Sequence, residues 1–218
     1  MTLATGILAR GPWLPSEIEV SWREDPYVPA PDVIEAADAA LQQLRERGSP
    51  SHDGLAARLR DFDVADGRLR LDCEPVRWAL RLLPGDAMQS LSALCVVRAA
   101  DGRWLAGRRA AWLATWSGRW GLGAAGAVEV GENPADTLVR ELEEEWSVIP
   151  ERVSVEALVK HSTGITMLIG LAWLPEGATV TPDAEHDDYE WWPADVSRWP
   201  EQADAPLRLT AELLRDAA

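Results

Sequence analysis

The segment 126–148 constrains the fold of this chain most strongly, because it predicts both a helix and the face that the helix buries. Asn133 is a favourable N-cap and Pro134 suits the first helical position, so a helix is predicted over 134–146. At about 100° per residue the apolar side chains share one face. That face carries Ala135, Leu138, Val139, Leu142 and Trp146. Strand-like runs flank the helix on both sides, so the segment belongs to a domain of mixed helices and strands.

Three glutamates, Glu141, Glu144 and Glu145, lie together on the opposite side of the predicted helix, and the side chains of Glu144 and Glu145 are expected to be exposed. Carboxylates within one turn repel one another, and Arg140 is the one nearby cation, four residues before Glu144. Hard divalent cations prefer oxygen ligands, and Mg²⁺ fits especially well where a substrate diphosphate supplies the remaining oxygens. An isolated glutamate run is most often a solvated acidic surface, and the run alone does not decide between the two interpretations.

The spacing of these residues favours a cation site over a solvated surface. It resembles the Nudix box, Gly-x5-Glu-x7-Arg-Glu-U-x-Glu-Glu-x-Gly-U, where U is bulky and aliphatic. The matching positions are Gly126, Glu132, Arg140, Glu141, Leu142, Glu144, Glu145 and Val148. Two positions depart from the pattern, since Ser147 replaces the late glycine and Ala125 stands where relatives usually carry another glycine. If the late glycine ends the helix with a positive φ, the backbone at Ser147 must distort or the helix must end differently.

The resemblance implies a metal-dependent pyrophosphohydrolase that cleaves a nucleoside diphosphate linked to another moiety, such as a nucleotide sugar, by attack of water at phosphorus. Mg²⁺ or Mn²⁺ would be the cofactor. It also implies that Glu144 and Glu145 are the main metal ligands and that Glu141 is a further ligand or accepts the proton of the water. Arg140 would hold the glutamates and Glu132 would brace the loop. These roles are chemically consistent, because the metal offsets phosphate charge and lowers the pKa of bound water. The residues expected to be catalytic are Glu141, Arg140 and Glu145.

Further candidates lie outside the glutamate run. Glu185, in the acidic segment 183–191, is predicted to be an additional metal ligand or base, with a solvated acidic loop as the alternative. Arg108 and Arg109 end a predicted strand where relatives often carry an arginine, and one of them is expected to bind phosphate or pair with the acids. The predicted substrate-binding set is Arg108, Arg109, Gly126 and Glu132, and the predicted metal-binding set is Glu141, Glu144, Glu145 and Glu185.

The histidines and tryptophans give weaker signals. His186 is expected at the surface rather than as a base. The chain has 12 tryptophans, and most of them are expected in the core. One tryptophan upstream of the Nudix box could instead stack on a nucleobase, and the candidates are Trp104, Trp112, Trp116 and Trp120.

The pattern of elements divides the chain into two parts. The predicted fold class is α/β (α+β): a Nudix-type α/β/α sandwich with a mixed sheet at 89–218, preceded by a smaller α/β N-terminal extension domain at 1–88. The leading part faintly resembles that of a UDP-sugar-cleaving Nudix branch, through the run Ser51-His52-Asp53-Gly54 and a following hairpin. An extension of this kind can cover a substrate cleft or mediate dimerisation, so a homodimer is among the expected partners.

Local signals predict the elements of the leading part. Alternating apolar residues predict a strand at 18–22. Asp32 is predicted to cap a helix that stops at Gly48. Asp66-Gly67 predicts a tight turn between two further strands.

Charge and composition restrict the partners and the compartment. The chain has 36 acidic and 21 basic residues, a net charge of −15, so nucleic acid and anionic membranes are not expected as partners. A small phosphorylated substrate remains compatible, because a divalent cation screens its charge. The sequence lacks a long apolar stretch and a basic leader, which predicts a cytoplasmic protein. Cys73 and Cys95 are too few for a disulfide scaffold.

Two alternatives to hydrolysis share the same fold. A Nudix-fold module that senses a nucleotide or sugar ligand without turnover is left open by Ser147 and Ala125, whereas the intact glutamates favour the enzyme. Isomerase chemistry on an isoprenoid diphosphate would need a well-placed Cys and Glu pair. Cys95 lies in an apolar run and is predicted to be a core residue.

Overall fold

The structure is a computed structural model that describes residues 6–48, 53–85, 90–113 and 115–214. The strands are β1 (Gly6–Trp13), β2 (Ile18–Trp22), β3 (Leu55–Ala65), β4 (Arg68–Arg77), β5 (Leu91–Arg98), β6 (Trp104–Arg109), β7 (Trp120–Leu122), β8 (Ala124–Ala127), β9 (Arg152–Lys160), β10 (Thr166–Trp173) and β11 (His186–Trp192). The α-helices are α1 (Pro31–Glu46), α2 (Pro134–Trp146) and α3 (Ala205–Leu214). Short 3-10 helices cover Pro15–Glu17, Trp78–Leu82 and Val196–Arg198. None of the helices in these described ranges combines the length and apolarity needed to cross a bilayer.

The larger sheet has the strand order β1-β9-β10-β5-β6-β11, with β8 paired to β5 and β7 paired to β6. Strands β10 and β5 run parallel, from Thr166 opposite Leu91 to Trp173 opposite Arg98, and the other pairs of this sheet are antiparallel. The predicted mixed sheet is therefore confirmed.

Helices α2 and α3 pack on opposite faces of this sheet. Along β5, Cys95 and Val97 belong to the core that includes α2, whereas Val96 belongs to the core that includes α3. Successive strand residues point to opposite faces, so these two cores lie on the two sides of the sheet. The predicted α/β/α sandwich and the core position of Cys95 are both confirmed.

Close backbone approach lets α2 lie against the sheet. A Cβ at Gly170 would lie 2.5 Å from Leu138 Cδ1, and one at Gly107 would lie 2.7 Å from the Trp146 ring. The indole nitrogen of Trp146 donates to the Gly123 carbonyl at 3.0 Å. Glycine at these strand positions therefore allows the apolar face of α2 to reach the sheet.

The tryptophans form much of the core on the α3 side. The rings of Trp104 and Trp199 meet edge to face at 5.6 Å, and those of Trp192 and Trp199 lie 5.1 Å apart. Trp104 is fully buried, as the core interpretation predicts. Trp112 and Trp116 are exposed instead.

The smaller sheet has the order β2-β4-β3, with β2 parallel and β3 antiparallel to β4. Strand β2 spans the predicted residues, Ile18–Trp22. Asp66 and Gly67 join β3 to β4 with φ values of 53° and 74°, which confirms the predicted turn.

The leading part also contributes to the larger sheet. Strand β1, which the sequence analysis did not predict, pairs with β9 from Gly6 opposite Lys160 to Trp13 opposite Val155. Leu69 and Leu71 of the smaller sheet share one core with the side of the larger sheet that α2 covers. The boundary between 88 and 89 stays a prediction, and residues 86–89 lie outside the described part.

Helix α1 begins differently from the prediction. Its N-cap is Ala30, which makes no side-chain cap hydrogen bond, while Pro31 occupies the first position and Asp32 lies within the first turn. The predicted cap at Asp32 is therefore wrong, because the proline occupies the first helical position and the helix begins two residues earlier than that cap requires. The helix ends at Glu46, before Gly48, whose φ is +69°. Ser51 and His52, on which the faint resemblance of the leading part rests, lie outside the described residues.

Helix α2 has the predicted limits and ends in a left-handed residue. The Asn133 side chain caps it by accepting a hydrogen bond from the Ala135 N–H at 3.0 Å. Ser147 has φ 51° and ψ 39°, and its N–H donates to the Glu143 carbonyl at 2.9 Å. The serine thus adopts the conformation that a glycine would adopt more easily.

We expect Ser147→Gly to raise the free energy of unfolding by about 1 kcal/mol, because a side chain in this conformation is disfavoured. The melting temperature should rise by about 2–4 °C. Ser147→Ala is the matched control, since it keeps the Cβ and should give no such gain. Equal effects of the two variants in thermal unfolding would contradict this account.

Candidate active site

A cleft of about 850 Å³ lies where helix α2, the leading part of the chain and the loop at 128–133 meet. This loop, which precedes α2, is called the box loop below. Helix α2 contributes Arg140, Glu141, Glu144 and Glu145. Strand β8 and the loop after it contribute residues from Ala125 to Val130, and the end of β6 with the loop after it contributes Arg109, Trp112, Leu113 and Thr115. The remaining wall consists of Leu55, Ala56, Trp78, Arg81, Leu82, Asp183 and Glu185. The cleft therefore combines carboxylates, two arginines and aromatic surface.

Arg140 holds the box together. Its Nε donates to Glu132 Oε1 at 2.9 Å, and one terminal nitrogen donates to Glu141 Oε1 at 2.7 Å and to Glu144 Oε2 at 3.0 Å. The other terminal nitrogen donates to the Ala127 carbonyl at 3.2 Å and to Glu132 Oε2. These contacts raise the pKa of Arg140, with the Glu132 hydrogen bond as the largest cause. One guanidinium thus joins the helix to the preceding loop.

Glu132 links the loop before α2 to Arg140. Its Oε2 accepts the Glu129 N–H at 3.0 Å while both carboxylate oxygens accept from Arg140. Burial acts to raise the pKa of Glu132, but the hydrogen bonds from Arg140 and Glu129 outweigh it and leave the pKa lowered. Glu132 is consequently anionic and tied to its own loop, and it is not among the cleft-lining residues.

Glu141 packs directly on Gly126, a strand residue of β8. A Cβ at position 126 would overlap the Glu141 carboxylate, so this position has room only for glycine. Burial raises the pKa of Glu141 to about 7, although the Arg140 charge and hydrogen bond oppose the change. A carboxylate with this pKa is suited to exchange a proton near neutral pH.

Glu145 is buried, which corrects the expectation that its side chain is exposed. It is 4% exposed, and its Oε1 accepts the Ala125 N–H at 3.2 Å. Its Oε2 is buried without a hydrogen-bond partner among the described residues. Burial, followed by the charge of Glu141, raises the pKa of Glu145 well above its usual value.

Glu144 remains exposed, as expected, with 59% of its side chain accessible. Its contact with Arg140 is an i,i+4 ion pair within the helix. The three glutamates therefore lie at three depths, from the exposed Glu144 through the half-buried Glu141 to the buried Glu145.

The structure brings Glu185 and Arg109 to the cleft but leaves Arg108 outside it. Arg109 lies 3.5 Å from Glu185 Oε2, and both line the cleft. Burial raises the pKa of Glu185, and Arg109 opposes this. Arg108 instead donates to Asp187 Oδ1 at 2.6 Å, because successive residues of β6 point to opposite sides.

His186 is buried, so its predicted surface position is wrong. Its ring stacks at 4.5 Å from the Trp146 ring, and its Nε2 lies 3.8 Å from Glu145 Oε2. Burial, together with the Arg109 charge, lowers its pKa and favours the neutral form. The acidic surroundings of His186 in the sequence gave no sign that Gly107 leaves room for its ring.

The carboxylates are chemically suited to bind a divalent cation, although their present positions do not form a complete coordination site. Across the described ranges, no three His, Cys, Asp or Glu side chains are arranged to hold a metal ion as they stand. Glu141 and Glu144 share one nitrogen of Arg140. The Oε2 of Glu145, which has no hydrogen-bond partner among the described residues, is the observation that favours a cation, because burial of a carboxylate oxygen without such a partner is costly. Oxygen donors of this kind suit Mg²⁺ or Mn²⁺.

Several residues of the cleft were not predicted from the sequence. Arg81, Trp78 and Leu55 come from the leading part, far from the box along the chain. No local pattern links them to the glutamates, and only the packing of the two sheets brings them together. Trp112 was one of four candidates for stacking, and it is the one that lines the cleft.

The comparisons with known proteins agree with this geometry. The model of the NUDIX domain matches residues 88–212, more than half of the chain. No curated protein matches the sequence significantly. The chain therefore belongs to the Nudix family.

Solved structures with a similar fold include three Nudix proteins. The MutT protein from Methanosarcina mazei Go1 is 22% identical, with 59% of this chain and 94% of that chain covered and a TM-score of 0.49. The NUDIX domain of Shewanella oneidensis NrtR, complexed with ADP ribose, is 22% identical, with 56% and 86% covered and a TM-score of 0.45. A C. elegans Ap4A hydrolase binary complex is 16% identical, with 59% and 96% covered and a TM-score of 0.45.

We expect Gly126→Ala to lower the free energy of unfolding by about 1–3 kcal/mol, because the added methyl displaces the Glu141 carboxylate from Arg140. Gly121→Ala is the matched control in a neighbouring strand. Its Cβ would meet nothing closer than the Gly107 carbonyl at 4.0 Å. Urea unfolding should separate the two variants, and a Gly126→Ala protein as stable as the Gly121→Ala protein would refute the packing argument.

Proposed function

We propose that this protein is a Mg²⁺- or Mn²⁺-dependent pyrophosphohydrolase that cleaves a nucleoside diphosphate linked to another moiety. The observation that supports it most is that Glu141, Glu144 and Glu145 line one cleft together with Arg81 and Arg109. A diphosphate needs positive charge around it, and the carboxylates can share such charge through a cation.

The proposed ligands of the cation are Glu141, Glu144 and Glu145, with Glu185 as a fourth carboxylate that lines the same cleft. When bound, the cation would offset phosphate charge and activate the attacking water. Arg140 would keep Glu141 and Glu144 oriented, since it donates to both. The Ala125 N–H would orient Glu145 through its Oε1, which leaves Oε2 to face a ligand.

Glu141 is the proposed acceptor of the proton from the water. It lines the cleft, and Arg140 donates to its Oε1, which fixes the direction of the carboxylate. Gly126 leaves the space that this carboxylate occupies. Glu185, which lines the same cleft, could take the same role, so the two carboxylates are alternatives for the base.

The remaining surface of the cleft suits the other parts of such a substrate. Arg109 is placed to bind a phosphate oxygen. Trp78 and Trp112 provide flat apolar surface of the kind on which nucleobases stack. A nucleotide sugar combines these features, and it is the substrate class that we propose.

A ligand sensor without turnover is the second candidate. Two observations support it. Arg140 already supplies positive charge between Glu141 and Glu144. Among the described residues, no three His, Cys, Asp or Glu side chains are arranged to hold a metal ion. A panel of nucleotide sugars, ADP-ribose and nucleoside triphosphates, incubated with Mg²⁺ and assayed for nucleotide products, separates the two. Product from one class would support the hydrolase. Thermal stabilisation by a compound that yields no product would support the sensor.

We expect Glu145→Gln to lower kcat/KM on the best substrate by at least about 100-fold, because loss of a direct ligand should exceed the effect of losing a neighbour of a ligand. Glu143→Gln is the matched control on the same helix. Glu143 is exposed and does not line the cleft. Near-normal turnover by Glu145→Gln at saturating Mg²⁺ would remove Glu145 from the site.

Glu145→Gln should lower turnover but raise the stability of the metal-free protein. Without metal, Glu145→Gln removes a buried carboxyl group whose raised pKa opposes folding at neutral pH, so the melting temperature in EDTA should rise by about 2–4 °C. In excess Mg²⁺ the wild-type protein should gain about 2–3 kcal/mol at a concentration 100-fold above Kd. Glu145→Gln should lose most of this gain. A Mg²⁺ response equal to that of wild type would show that Glu145 is not a ligand.

A further inference from the structure

The leading part of the chain forms one wall of the catalytic cleft. The Ala57 N–H of β3 donates to the Val128 carbonyl of the box loop at 2.9 Å. Ala127 packs against the small core that contains Ala79 and Leu80 of the 3-10 helix Trp78–Leu82. These contacts fix the 3-10 helix against the box loop.

The 3-10 helix presents Arg81 to the cleft. Its neighbours Ala79 and Leu80 are fully buried in the small core, so their side chains face away from the cleft that Arg81 lines. The Trp78 N–H donates to the Gly54 carbonyl at 2.8 Å, which anchors the start of the helix. The Arg81 guanidinium lies 5.7 Å from the centroid of the Trp78 ring, within the range of a cation–π contact. The arginine is thus held in place by the backbone and by an aromatic neighbour.

Arg81 lies near charges of both signs. Burial and the Arg109 charge lower the pKa of Arg81, whereas the charges of Glu141 and Glu185 oppose this change. No salt bridge joins Arg81 to any residue in the part of the chain that the structure describes. Two guanidinium groups that face one partly desolvated cleft repel each other, and an anion between them relieves this repulsion.

We propose that Arg81, supplied by the leading part of the chain, binds a phosphoryl group of the diphosphate substrate together with Arg109, in the cleft that Glu141 and Glu185 also line. This assignment rests on the proposed function, and it extends the site to a residue outside the Nudix box. Arginine suits the task because its planar fork donates two parallel hydrogen bonds to phosphate oxygens. The leading part then belongs to the active site, because the site is incomplete without it.

The first test measures binding without turnover. Methylenediphosphonate, a diphosphate that cannot be hydrolysed, is titrated into the protein with Mg²⁺ by calorimetry. We expect Arg81→Gln to bind it about 10-fold or more weakly, since hydrogen bonds to charged groups are worth more than neutral ones. Arg45→Gln is the matched control, because Arg45 is an exposed arginine of α1, in the same part of the chain but away from the cleft. It should bind as wild type does.

The second test separates binding from folding. Arg81→Gln should raise KM on the substrate found with the panel and lower kcat/KM by about 10-fold or more. Its melting temperature should stay within a few degrees of wild type, because removal of a repelled charge costs little. Arg81→Lys keeps the positive charge but not the planar guanidinium group, and its kcat/KM should lie between those of Arg81→Gln and wild type. It also serves if Arg81→Gln does not fold.

The outcomes distinguish this inference from the proposed function. If wild type cleaves a diphosphate and Arg81→Gln binds methylenediphosphonate as tightly as Arg45→Gln does, the assignment of Arg81 is wrong and the hydrolase stands. If wild type binds the diphosphonate through Arg81 but cleaves no compound, the hydrolase fails and the phosphate site stands. If wild type does not bind the diphosphonate at all, the assignment of Arg81 is overturned.

Discussion

The hydrogen bonding of Arg140 is the interaction on which the rest of the site depends. A single guanidinium contacts carboxylates from the loop and from the helix and also a strand carbonyl. Carboxylates this close would otherwise repel one another, and burial of any of them would be costly. Arg140 offsets that repulsion for Glu132, Glu141 and Glu144. Glu145, which it does not reach, keeps an unpaired buried oxygen. The distribution of charge within the box is therefore uneven, and the deepest carboxylate is the one most in need of a cation.

The glycines of the larger sheet decide how deep these carboxylates lie. Gly126 gives the Glu141 carboxylate its place, and Gly107 gives room to the rings of Trp146 and His186. A helix that is pressed this closely against strands buries side chains at its margins as well as those on its apolar face. The leading part then covers the other side of the cleft through the 3-10 helix Trp78–Leu82. The cleft thus depends on both sheets, and its chemistry comes from parts of the chain that are distant in sequence.

Local rules predicted the elements well where the interactions are local. The N-cap at Asn133 and the turn at Asp66-Gly67 depend on backbone geometry within a few residues, and both are confirmed. The cap at Asp32 failed for an equally local reason, because Pro31 takes the first helical position. Exposure was harder to predict. The angular position of Glu145 on the helix was read correctly, but its burial is set by β8, whose Ala125 N–H binds it. His186 was misjudged in the same way, since its burial depends on Gly107.

The sequence by itself determined the family, the helix that carries the glutamates and the strands around it, because spacing and periodicity act along the chain. It also identified Glu185 and Arg109, which the structure brings to the same cleft. Tertiary structure alone decided that Arg108 points away from the cleft, that Glu145 is buried and that Arg81 lines the same cleft as the glutamates. It also placed β1 at the edge of the larger sheet. The physical reason is that burial and charge pairing depend on which surfaces meet, and surfaces from distant segments meet only after the sheets have packed.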